Sequence, residues 1–112
     1  MAANNYADSL LSLHRFEETK SLLRKEIPVA RRVLGEGHRL TLIMRKIYAV
    51  TLYVDTGATL NDRREAVTTL EETARTARRV LGGAHPNTGG IEQALRTARA
   101  HLRSIETPPA NA

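Results

Sequence analysis

The chain has 112 residues, 41% apolar and 26% charged, the balance of one soluble domain with a single modest core. No apolar run approaches the roughly 18 residues of a membrane span, and the lack of cysteine excludes disulfides and thiolate metal sites. The net charge of +5, with 14 arginines among 17 basic residues, favours acidic partners, but interleaving with 12 acids reads first as solvated helix faces. The start, Met1-Ala2-Ala3-Asn4-Asn5, has neither a basic nor an apolar signal region, so a cytoplasmic location is expected.

Five helices are predicted. The first, Ala3 to Leu13, places Ala3, Tyr6, Ala7 and Leu10 at helical spacing. The second, Phe16 to Leu34, has Thr19, Leu23, Ile27, Ala30 and Leu34 on one stripe; Pro28 lies inside it and removes the bond to the Arg24 carbonyl, so a kink is expected. The third, Leu40 to Thr56, is apolar almost all round between Ile47 and Val54, as suits a helix buried on most sides. A longer loop from Asp55 follows, with Asn61 or Asp62 as the expected N-cap.

The fourth helix, Asp62 to Leu81, carries Ala66, Leu70, Ala74 (or Thr73), Ala77 and Leu81. The fifth, Asn87 to Ile105, has Ile91, Ala94, Leu95, Ala98, Leu102 and Ile105 on one side and Glu92, Arg96, Arg99 and Arg103 on the other. One face for the core and one for water is what a capping helix needs. Gly89-Gly90 weakens its start by roughly 1 kcal/mol per glycine relative to alanine. Pro108-Pro109 ends it, so residues 1–105 are expected to form one domain and 106–112 a disordered tail.

Part of the chain occurs twice. Arg31-Arg32-Val33-Leu34-Gly35 returns as Arg78-Arg79-Val80-Leu81-Gly82, and His38 and Thr41 as His85 and Thr88, all displaced by 78 − 31 = 47 residues. The apolar stripe of the second helix, shifted by 47, falls on that of the fourth. A repeat of this length in a helical chain predicts stacked helix pairs, each burying its apolar face on its neighbours. The expected fold is all-α, built from antiparallel helix-pair repeats.

The pattern Tyr-Ala-x-x-Leu, then Arg-Phe-Glu-Glu-Thr or Arg-Arg-Glu-Ala-Val, then Ala-Arg-Arg-Val-Leu-Gly-x-x-His-(Pro)-x-Thr, resembles the tetratricopeptide repeats of kinesin light chain. The resemblance runs from Asn4 to Leu102, as two repeats and a final half. It implies a right-handed α-solenoid whose first helices line a concave groove for a peptide, acidic in kinesin light chain. The chain departs from it in places: the groove Asn of the family is kept at Asn5 but replaced by Ile47 and Ala94, and Arg39 stands where the family has Pro. Similar repeat proteins abound in unicellular algae and other microbes, so a piece of a longer scaffold is the alternative reading.

Matching groove positions to the resemblance gives Asn4 and Asp8 on the first predicted helix, Lys46, Val50 and Tyr53 on the third, and Gln93 and Thr97 on the fifth. His101, beside the strict match Ala100, is added. Lys46 is the expected contact for an acidic peptide and Tyr53 an aromatic anchor; the competing reading buries Val50 and Tyr53 in the core and leaves Lys46 merely solvated.

His38 and His85 read as turn residues rather than metal ligands, since one per unit does not converge and no carboxylate stands at i+4. Arg31-Arg32 and Arg78-Arg79 read as cations at helix C-termini. No nucleophile, zinc or phosphate-loop motif is present.

The expected function is therefore a protein-interaction module without catalysis, cofactor or metal, binding a protein or peptide, with acidic ones favoured. Self-association is the alternative, as a homodimer through Leu10, Leu11 and Leu13 of the first helix. Nucleic acid is disfavoured and no membrane partner is expected.

Overall fold

The computed structural model describes residues 15–106, and within them four α-helices and no strand. They are α1 (Phe16–Val33), α2 (Arg39–Val54), α3 (Leu60–Val80) and α4 (Pro86–Glu106), the second to fifth predicted helices. The first predicted helix, with Asn4 and Asp8, lies outside the described residues, as does the end from residue 107; α4 itself runs one residue beyond the expected domain limit.

Consecutive helices pack on one another, and α2 also packs on α4. α2 is thus the middle layer, between α1 and α3 with α4 alongside. Its burial follows: Met44 and Ile47 join Leu23 and Ala30 of α1, whereas Leu42, Ala49, Leu52 and Tyr53 join α3 and α4. This is a stack of packed helices, and the all-helical repeat architecture expected from the sequence is what forms.

The duplicated segments adopt the same local structure. Leu34 and Leu81 end their helices at φ −100°, ψ −26° and φ −99°, ψ −23°. The next residues, Gly35 and Gly82, sit at φ +99° and +92°, a left-handed conformation that a side chain would strain. Each glycine N–H returns to the helix, Gly35 to the Ala30 and Arg31 carbonyls and Gly82 to those of Ala77 and Arg78. His38 Nδ1 then accepts from the Leu40 N–H at 3.1 Å, and His85 Nδ1 from the Asn87 N–H at 3.0 Å. Both histidines are helix-start caps, satisfying amides that would otherwise lack partners. Leu23 and Leu70, Ala30 and Ala77, and Thr41 and Thr88 are fully buried pairs 47 apart. Each such leucine contributes roughly 1.5–3 kcal/mol by leaving water.

α1 is helical on both sides of Pro28. Two local expectations change. α3 starts earlier than expected, with Thr59 as its N-cap: its Oγ1 accepts from the Asp62 N–H at 3.1 Å while Asp62 Oδ2 accepts from the Thr59 N–H at 3.0 Å. A reciprocal capping box satisfies two amides, which a cap by Asn61 or Asp62 alone does not. α2 stops at Val54, where Asp55 turns the chain and its Oδ1 accepts from the Gly57 N–H at 2.9 Å.

Candidate partner-binding surface

On α2, Lys46, Val50 and Tyr53 follow steps of four and three and share one stripe. The packing of α2 against α4 brings this stripe to the seam between the two. At one end Lys46 lies over Gly90, where an added Cβ would stand 3.4 Å from its Nζ. At the other end the rings of Tyr53 and His101 meet with centroids 5.0 Å apart at 38°, within the range of favourable aromatic pairing. Two of the positions expected on α4 behave differently. The Gln93 side chain, exposed, is engaged by Arg96 Nη2 at 2.6 Å, and the Thr97 hydroxyl donates back to the Gln93 carbonyl at 3.1 Å.

Burial separates these residues. Tyr53 is 6% exposed and belongs to the core, with Val50 half-buried against it, so Tyr53 is not an exposed anchor. The reason is its neighbours: α3 and α4 close over the same side of α2 that carries it. Burial also pushes the Tyr53 phenol above its usual range. Lys46 is partly exposed and has no ion-pair partner among the described residues. The His101 carbonyl accepts from Arg63 Nη1 at 3.4 Å, tying α4 to the start of α3.

Elsewhere the structure builds a charged cluster that the residue patterns alone did not reveal. Arg45 is 4% exposed, with Nη1 3.3 Å from Glu36 and Nη2 3.2 Å from Glu72. Burial, then the neighbouring Arg31 charge, lowers its pKa from the usual guanidinium value, and the two glutamates oppose this. Glu36 also accepts from Arg31 at 2.6 Å. Arg45 and Tyr48 form the floor of a cleft of about 230 Å³ between α1 and α3, on the other side of α2 from Lys46. Tyr48 donates to Glu65 at 2.8 Å and lies under Arg24 at 5.9 Å. Lys20, 7% exposed, bonds Glu17 at 2.7 Å and Asp55 at 3.3 Å, which fastens the loop after α2 to α1.

Neither histidine of the repeated turn meets a metal-binding set; no group of three or more His, Asp or Glu that could hold a metal ion exists among the described residues. None of the described helices is long and apolar enough to cross a membrane.

Residues 58–87, or 30 of 112, match the family model described as Tetratricopeptide repeat. No curated protein and no solved structure matches the chain. The matched stretch spans the capping box at Thr59, the whole of α3 and the repeated turn up to the start of α4. Such repeats serve in general as protein-interaction modules rather than enzymes, and this segment, packed in a stack of helices, is similar to a tetratricopeptide repeat.

Proposed function

We propose that the chain is a protein-interaction module that takes a peptide or partner protein along the α2–α4 seam, with an acidic ligand favoured. The observation that carries this reading is Lys46: a cation without a carboxylate partner among the described residues, set beside Gly90 where no side chain blocks approach. His101 and Thr97 continue the same surface, while Tyr53 holds it from below. Asn4 and Asp8 complete it in this reading, as first-helix positions of a kinesin light chain type of repeat. The cytoplasm is the compartment that fits.

The test is capture of partners from an extract of the source cell by the wild-type chain and by Lys46→Glu and His101→Ala. Tyr53→Ala is unsuitable, because removing a buried aromatic side chain costs about 3–5 kcal/mol and perturbs the whole fold. Loss of a defined set of partners with Lys46→Glu is expected. Equal recovery of every partner by all three proteins refutes the surface.

A further inference from the structure

The cleft between α1 and α3 has a counterpart one unit later. Arg24, Ile27, Arg31, Arg45 and Tyr48 line the first. Adding 47 to each gives Glu71, Ala74, Arg78, Glu92 and Leu95, and these line a second cleft of the same size, about 230 Å³, between α3 and α4. They differ in one respect. The far wall of the first is Thr69 and Glu72 of α3, whereas no helix forms a far wall for the second among the described residues.

The residues of α4 show what such a wall would meet. α2 buries Leu42, Ala49, Leu52 and Tyr53 in the core shared with α3 and α4; their counterparts on α4 are Gly89, Arg96, Arg99 and Ala100, all exposed. The inner half of α4 keeps its apolar nature, since Met44 and Ile47 correspond to the buried Ile91 and Ala94. The seat is therefore preserved in shape and changed in chemistry, from apolar to arginine. Arg96, Arg99 and Arg103 step by three and four and form one stripe. Arg99 is held by Glu71 at 3.1 Å, while Arg103 has no ion-pair partner among the described residues.

We infer that this face docks an acidic α-helical segment of a partner protein, lying over α4 as α3 lies over α2. Its Asp or Glu residues at helical spacing meet Arg96, Arg99 and Arg103, and its apolar stripe rests on Leu95 and Ala74. An apolar helix fits worse, because it would cover these guanidinium groups without offering them acceptors, leaving that of Arg103 without a partner. A polynucleotide also fits worse: no aromatic side chain lines the cleft for a base to stack on. The site is distinct from the α2–α4 seam and does not depend on it.

The probe is a labelled synthetic peptide with the α3 sequence carrying Ala66→Glu, Thr73→Glu and Ala77→Glu, keeping Leu70 and stapled on its solvent face. Its binding to the whole chain is read by fluorescence anisotropy, with the unaltered α3 peptide as control. The acidic peptide is expected to bind about tenfold or more tightly than the control, a difference well resolved by titration. Arg96→Glu/Arg103→Glu should lose that gain, and Arg96→Ala/Arg103→Ala should lose part of it; circular dichroism verifies that each variant is folded. Lys46→Glu should bind as the wild type does. Equal affinity of the wild type and both arginine variants overturns the proposal. So does an equal loss with Lys46→Glu, or tighter binding of duplex DNA or phosphatidylserine vesicles than of the acidic peptide.

Discussion

Arg45 and Glu92 occupy the same position in successive units, 92 − 45 = 47, and carry opposite charges. Their surroundings are altered to match. Arg31 and Arg78 are equivalent, but Arg78 pairs directly with Glu92, its Nε 2.8 Å from the carboxylate. Arg31 instead faces a like charge in Arg45, and Glu36 stands between the two, 2.6 Å from one and 3.3 Å from the other. The residue equivalent to Glu36 is Gly83, where no bridge is needed. The same contact between helix end and next helix is thus built in two ways.

Exchanging the two arrangements is the first test. Arg45→Glu alone places a carboxylate between Glu36 and Glu72 in a buried position, and should cost about 3 kcal/mol. Adding Glu36→Gly and Glu72→Gln removes the repulsion and lets the new carboxylate meet Arg31. About half of the loss should return, measured as the urea midpoint of each variant. A triple variant no more stable than the single one contradicts the account.

A second relationship joins the turns of adjacent units. A Cβ at Gly37 would stand 2.8 Å from Val80 Cγ2, closer than such atoms approach. Gly37→Ala should therefore destabilise by about 1–2 kcal/mol through overpacking. In a Val80→Ala background the same change should cost only a few tenths of a kcal/mol, which a double-mutant cycle of thermal or urea unfolding measures. The equivalent position already carries Ala84, so the turn itself accommodates alanine.

Stability should fall at alkaline pH. Lys20 has its pKa raised, first by its hydrogen bond to Glu17 and then by Asp55 against the cost of burial, and burial raises the phenols of Tyr48 and Tyr53. For each group the folded state holds its proton more tightly than the unfolded chain. The resulting stability is complete below the unfolded values, about 10 for these groups, and is lost as pH rises through the folded ones. Melting temperature should decline above about pH 10, and Tyr53→Phe should make that decline shallower. An unchanged slope would remove Tyr53 as a contributor.

The amino-acid order by itself determined the four described helices and the turn that joins them, and its 47-residue repeat pointed to stacked pairs. Those features rest on interactions over a few residues: apolar spacing of three and four, a glycine at a left-handed C-cap, a histidine beside the next helix start. Because the turn occurs twice 47 residues apart, each copy supported the reading of the other. Lys46 and His101 came from the resemblance to a repeat family and not from spacing. The sequence left Tyr53 open between anchor and core, and only packing decided, because the side of α2 that carries Tyr53 is closed by both α3 and α4. The buried Arg45 cluster, the Lys20–Asp55 tie across 35 residues and the arginine-lined seat on α4 likewise depend on which helices become neighbours. Spacing along one helix states which residues share a face; what that face meets is settled only when the other helices are in place.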